Sequence, residues 1–344
     1  MSDERFSPEN ATFDEIRGLF RALPPADLES GTAAVSRETQ LTKPSGSLGR
    51  LEELTRWLAA WQGKYPPTVE HPRICVFAAN HGVTAKGVSA YPAEVTAQMV
   101  QNFISGGAAV NQLAQLFDAD LRVYEMALDQ PTADFTEEAA METGDCAKAM
   151  AYGMMGVEPG IDLLCLGEMG IGNSTSAAAI CHALYGGTAE DWTGPGTGVT
   201  GDAFSAKVKA VADGVALHKA RTEDPLELFA AVGGLELAAI AGAVLAARMA
   251  RVPVLLDGYA CTAAAAVLHA ADPRSIEHCQ VAHCSAEPGH RLLLEKIGKE
   301  PILDLGMRLG EGSGAALAIG ILKSAVACHT GMATFADAGV SGPA

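Results

Sequence analysis

Apolar residues along this chain follow two rhythms. Short runs rich in apolar residues at 74–79, 121–126, 161–166, 252–257 and 280–284 are bounded by turn residues or followed by helix-like sequence, and each predicts a strand, 161–166 between its two glycines a buried one. Other stretches carry the helical period. Leu48, Leu51, Leu54, Trp57, Leu58 and Trp61 line one face of a helix over 48–61, and a second helix is predicted over 13–23, with Pro44-Ser45-Gly46-Ser47 marking a turn and cap between them. Strands alternating with helices predict an α/β fold, a parallel Rossmann-like sheet flanked by helices. The strand-free N-terminal part predicts a smaller helical domain over 1–65, which C-terminal helices at about 321–344 can join, beside an α/β domain over 66–320. The longest apolar stretch, 226–250, contains Glu227, Glu236, Arg248, Gly233-Gly234 and Gly242, so a buried helix pair is expected there rather than a membrane span.

Ligands of open parallel sheets sit beyond the C-terminal ends of the strands. Asn80-His81-Gly82, 168–175, Asp257-Gly258 and Ser285-Ala286-Glu287-Pro288-Gly289 all follow predicted strands and are expected to converge on one cleft. Two of the chain's glycine-rich segments carry an acid. In Arg308-Leu309-Gly310-Glu311-Gly312-Ser313-Gly314, one carboxylate stands among three glycines, before apolar helix-like sequence. Glu311 there is a candidate general base, since Gly310 and Gly312 let backbone and acid approach a small molecule; a tight turn with a solvated Glu is the competing reading. In Gly167-Glu168-Met169-Gly170-Ile171-Gly172-Asn173-Ser174-Thr175-Ser176, a turn joins the predicted strand to a helix-like run at 177–184. Helix N-terminal N–H groups and the Ser174 and Thr175 hydroxyls suit a phosphate. The spacing matches neither a P-loop nor a dinucleotide fingerprint, and two adjacent acids followed by Thr-Gly are absent, so phosphate binding without a metal is expected.

Composition narrows the picture. With 344 residues, 49% of them hydrophobic, the chain can bury a large core. Its net charge of −17 argues against nucleic acid and anionic membranes as partners, so an anionic substrate needs a local cation. Lys207, after Gly194-Pro195-Gly196-Thr197-Gly198 on the helix-like run 202–218, is a candidate; a solvated helix lysine is the competing reading. The polar start Met1-Ser2-Asp3-Glu4-Arg5-Phe6 has no apolar signal region, and a cytoplasmic protein is expected. Eight scattered cysteines, several of them in apolar runs, suit reduced packing residues. His278-Cys279-Gln280-Val281-Ala282-His283-Cys284 resembles a ligand cluster, but strand alternation would part His278 from His283 and no second pair stands at zinc-finger spacing; no metal is expected. The favoured reading is a buried strand end near the site.

Leu41-Thr42-Lys43-Pro44-Ser45-Gly46-Ser47-Leu48-Gly49-Arg50-Leu51-Glu52, His81-Gly82-Val83, 87–99, 167–176, Gly196-Thr197-Gly198, 285–290 and 309–314 closely resemble, in order, the nicotinate-nucleotide:dimethylbenzimidazole phosphoribosyltransferases. Asn80 departs from the Asp that many members carry before His-Gly. The resemblance implies transfer of 5-phosphoribosyl from nicotinate mononucleotide to 5,6-dimethylbenzimidazole in the nucleotide-loop branch of cobalamin synthesis, without a cofactor, by a homodimer. It implies that Glu311 is the base, that Glu168 lies close to the substrates and that Leu309 lines the base pocket. It assigns Gly170, Asn173, Ser174, Thr175, Lys207 and Ser285 to the nucleotide side. Gly172 and Gly196-Thr197-Gly198 belong to the same matching motifs. Tyr91 and Met99 could wall the acceptor pocket, with ordinary packing the competing reading. Another acceptor, a hydrolase and a non-catalytic nucleotide-binding regulator remain as alternatives.

Overall fold

The computed structural model describes residues 8–342. Six strands form one parallel sheet in the order β2-β1-β3-β4-β5-β6. They are β1 (Pro72–Ala78), β2 (Asp120–Glu125), β3 (Leu163–Met169), β4 (Val254–Leu256), β5 (Cys279–His283) and β6 (Pro301–Leu303). The order reverses between β1 and β3, and such a switch point opens a crevice at the strands' C-terminal ends. Alternation along the strands sends side chains into two cores. Cys75, Phe77, Leu164, Leu166, Val254, Leu256 and Val281 pack on one face, whereas Ile74, Val76, Ala78, Leu163, Cys165, Leu255 and Ala282 pack on the other. Burial on both faces explains why the inner strands read as unbroken apolar runs.

The 226–250 stretch forms two helices, Pro225–Val232 and Leu235–Ala250, and the second packs on Thr143–Met154. A Cβ on Gly242 would lie 1.8 Å from the Met150 carbonyl oxygen and one on Gly153 1.9 Å from that of Ala239, so glycine sets the spacing of these two helices. Among the described residues, Ser313–Gly331 is the helix long and apolar enough to cross a bilayer. It lies along the sheet, against Arg50–Gln62 and Ala109–Leu116.

Several expectations shift. The strand expected at 161–166 runs instead to Met169, so Glu168 stands in the sheet, in register with Phe77, rather than in the turn. The helix expected at 177–184 begins at Asn173, because the turn tightens within Gly170–Gly172. The helices expected at 13–23 and 48–61 are Phe13–Phe20 and Arg50–Gln62, and that expected at 202–218 is Gly201–Lys219. The helix Leu28–Glu38, whose Leu28 is 80% exposed, and the three-residue β6 were not anticipated. Phe13–Phe20 packs against Thr143–Met154, whereas Leu28–Glu38 and Arg50–Gln62 pair beside Ser313–Gly331. The polar stretch Met1 to Phe6 lies outside the described residues.

Candidate active site

Two strand ends and two glycine turns build the site. β3 delivers Glu168, whose carboxylate accepts a hydrogen bond from Asn173 Nδ2 on the first turn of helix Asn173–Tyr185. One residue on, Ser174 Oγ accepts from Lys207 Nζ at 2.9 Å. Lys207 reaches this point from helix Gly201–Lys219 while only 1% exposed; burial pulls its ammonium down to about 8, and Glu287 opposes that shift. A buried cation, a hydroxyl and a helix N-terminus thus meet at one spot, a combination suited to a phosphate.

The second turn carries Glu311 at φ +63° between Gly310 at +81° and Gly312 at +76°. A left-handed non-glycine residue is strained, which is informative at a site where the acid's direction matters. Three contacts hold it. Glu311 N donates to the Glu168 carbonyl at 3.2 Å, and Asp257 accepts from Gly312 N at 3.0 Å and Ala315 N at 2.9 Å, capping helix Ser313–Gly331. A Cβ on Gly167 would lie 2.4 Å from Gly312 N, so the turn is seated directly on β3. His283 Nε2 lies 3.6 Å from Asp257 Oδ1. Burial, then the Asp257 charge, lifts Glu311 to about 7. Burial lifts Glu168 to about 8, opposed by Asn173 and reinforced by Asp257, Glu236 and Glu311. Both acids are therefore held well above the usual carboxylate range, as at many catalytic sites.

A cavity of about 450 Å³ joins these groups. Of the expected residues, Tyr91, Met99, Glu168, Gly170, Asn173, Ser174, Gly196, Thr197, Ser285, Leu309, Gly310 and Glu311 line it. Tyr91 and Leu309 are 55% and 56% exposed, so each is an open wall rather than core packing. Lys207 stands behind Ser174, and Gly172, Gly198 and Gly312 shape turns away from the wall. Thr175 departs from expectation: it is fully buried, its hydroxyl has no partner among the described residues, and one residue of helical rotation from Ser174 has turned it into the core. Asn80-His81-Gly82 likewise do not reach the cavity. Asn80 donates to the Leu128 carbonyl at 2.8 Å, and His81 turns beneath the Gly170 turn toward Glu236. His278 and His283 part as alternation requires. His278 packs on Trp61 at the far end of β5, while His283 lines the cavity.

Val95, Met169, Ile171, Tyr259, Ala260, His283 and Arg308 also line it; none is singled out as a site residue by the sequence, although Val95, Met169 and Ile171 lie in stretches expected at the cleft. Strand ends already pointed to the neighbourhoods of Tyr259 and His283, and Arg308 lies at the head of the Glu311 segment without a role of its own in the sequence reading. Its guanidinium donates to the Gly196 carbonyl at 2.8 Å, Glu287 accepts from Gly196 N at 3.0 Å, and Thr197 Oγ1 accepts from Ala90 N at 2.9 Å. The Gly196-Thr197 loop thereby ties the phosphate-suited corner to the open apolar wall. A larger cavity, about 700 Å³, lies beside the end of β2 and holds neither glycine turn. Among the described residues no group of three or more His, Cys, Asp or Glu could hold a metal.

A buried lysine beside a helix N-terminus, an apolar wall and two buried acids thus meet at the C-terminal edge of a parallel sheet, an arrangement suited to a transferase that handles a phosphorylated group beside an apolar ring. Residues 23–340 match the family model described as Phosphoribosyltransferase. The chain is 57% identical over 336 residues to the nicotinate-nucleotide–dimethylbenzimidazole phosphoribosyltransferase of Brucella anthropi, covering 98% of this chain and 99% of that one. It is 58% identical over 335 residues to the protein of that name from Brucella canis, covering 97% and 99%. The solved structure of the Thermus thermophilus enzyme of that name superimposes with a TM-score of 0.84 at 40% identity, covering 92% of this chain and all of the other. The chain belongs to the nicotinate-nucleotide–dimethylbenzimidazole phosphoribosyltransferase family.

Proposed function

We propose that this enzyme transfers the 5-phosphoribosyl group of nicotinate mononucleotide to 5,6-dimethylbenzimidazole, giving alpha-ribazole 5'-phosphate and nicotinate, in the lower-ligand branch of cobalamin biosynthesis. The observation that carries the reading is the position of Glu311, with the apolar wall of Leu309, Tyr91 and Met99 lining the same cavity as Ser174, whose hydroxyl Lys207 holds.

The chemistry follows from the substrates. The glycosidic nitrogen of nicotinate mononucleotide is a pyridinium, so it departs as a neutral ring nitrogen and needs no acid. One benzimidazole nitrogen attacks the anomeric carbon from the opposite face, inverting a beta nucleotide to an alpha product. The other nitrogen loses its proton to Glu311, a carboxylate that burial has made basic enough to accept it. Lys207, Ser174 and the Asn173 helix N-terminus hold the phosphate, whose binding energy orients the ribose. Glu168, tied to Asn173, orients the ribose side. Gly170, Gly196, Thr197 and Ser285 complete the nucleotide wall.

This reading also carries a cytoplasmic homodimer, with exposed Leu28 and Val35 on helix Leu28–Glu38 available to an interface, and a division into a helical domain over 1–65 and an α/β domain over 66–320. Purified protein mixed with nicotinate mononucleotide and dimethylbenzimidazole is expected to release nicotinate and alpha-ribazole phosphate in equal amounts, followed by chromatography. Nicotinate release without acceptor would point to a hydrolase, and tight nucleotide binding without turnover to a regulator.

A further inference from the structure

His81 and Glu236 lie outside the cavity wall, yet they are the most closely paired titratable groups beneath it. His81 Nε2 and Glu236 Oε1 are 2.7 Å apart, with side chains 1% and 0% exposed. The other ring nitrogen, Nδ1, lies 3.1 Å from Ser176 Oγ. Glu236 Oε2 has no hydrogen-bond partner among the described residues. The three residues come from three elements: the segment after β1, the start of helix Leu235–Ala250 and the first turn of helix Asn173–Tyr185.

Glycines show how closely the pair fits under the nucleotide turn. A Cβ on Gly170 would lie 3.1 Å from Glu236 Oε1 and 3.4 Å from Asn173 Nδ2, so the carboxylate sits directly behind the residue that faces the cavity. A Cβ on Gly172 would come within 3.4 Å of the His81 Cβ, and one on Gly234 within 2.2 Å of His81 Cε1. Glycine at these positions is what lets the pair lie so close under the turn. A buried polar pair gains little net stability over an apolar replacement of the same shape, so its use lies in what it holds.

We infer that His81 and Glu236 are positioning residues for the nucleotide substrate: through Ser176 and the floor of the Gly170 turn they set Asn173 and Ser174 from behind. Asn173 in turn holds Glu168, and Ser174 holds Lys207. His81, Glu236 and Ser176 make no hydrogen bond to Tyr91, Met99 or Leu309; the acceptor wall is reached only a step further on, through the Glu168 carbonyl and the Gly196-Thr197 loop. The pair therefore acts first on the nucleotide side. The inference rests on the phosphoribosyl-transfer reading.

The test is steady-state kinetics with both substrates on full-length Glu236→Gln and Ser176→Ala, with thermal unfolding in parallel. Glu236→Gln keeps the volume and removes the charge; Ser176→Ala removes one hydroxyl on an intact helix and decides the matter if the first variant does not fold. Loss of a hydrogen bond to a charged group corresponds to about a tenfold rise in KM for nicotinate mononucleotide in Glu236→Gln, with a smaller rise in Ser176→Ala. KM for dimethylbenzimidazole is expected to stay within about twofold, a change below the smallest hydrogen-bond effect. Both KM values moving together, or neither moving while the melting temperature falls, would overturn the positioning role and leave a purely structural pair. A wild type that turns over no nicotinate mononucleotide would instead remove the functional reading itself.

Discussion

Glu168 and Glu311 reach the same cavity by opposite means. Glu168 rides on the last residues of a buried strand, and Asn173 occupies its carboxylate. Glu311 stands on a turn at positive φ, bound through its backbone and through Asp257 beneath the next helix, and its carboxylate accepts no hydrogen bond from the described residues. Helices begin just after each, at Asn173 and Ser313, with a glycine at φ +96° and +76° as the preceding cap. A glycine turn that opens a helix thus follows one acid already committed to a partner and carries one left free. A committed acid holds geometry; a free one, lifted toward neutrality by burial, can accept a proton.

Neutralising each acid in turn separates the two roles. Glu311→Gln is expected to lower kcat by about 10²–10⁴-fold, the usual worth of a general base. Glu168→Gln, which loses a charge-assisted hydrogen bond, is expected to cost about 10- to 100-fold. Steady-state rates would expose a reversed order, which would move the base to β3.

The pH dependence sharpens the same point. Free Glu311 must be ionised to act, so kcat/KM for the acceptor should fall about tenfold per unit as pH drops below about 7. Residual activity of Glu311→Gln should be flat there. A limb near 8 that survives in that variant would mark Glu168 as the titrating base.

The smallest expected effect is on stability. Both folded-state values are raised, so the native state binds these protons more tightly than the unfolded chain does. Between 4.5 and about 8, stability therefore falls as pH rises through the Glu168 range. Glu168→Gln should remove part of that slope and melt a few degrees above wild type at pH 8 in calorimetry, a shift typical of about 1 kcal/mol. A lower melting temperature at pH 8 would mean that the Asn173 contact outweighs burial.

Much of the frame was legible because it depends on local pattern. β1 and β3 announce themselves as apolar runs since both faces are covered, and 226–250 separates into a helix pair at Gly233-Gly234. The Glu311 turn stands out because only glycine neighbours tolerate its backbone. β6 was hidden by its three-residue length, and Leu28–Glu38 by an exposed Leu at its start.

What the amino-acid order alone determined was therefore the set of strands and helices with strong periodicity, the two glycine-framed acids and the family resemblance of the turns. Tertiary structure decided which groups meet. It placed Glu168 in the sheet with its carbonyl under Glu311, turned Thr175 into the core beside a cavity-facing Ser174, and sent His81 away from the cavity to Glu236. Those outcomes depend on strand register, helical rotation and contacts between residues more than a hundred positions apart, and local periodicity carries no information about such distances.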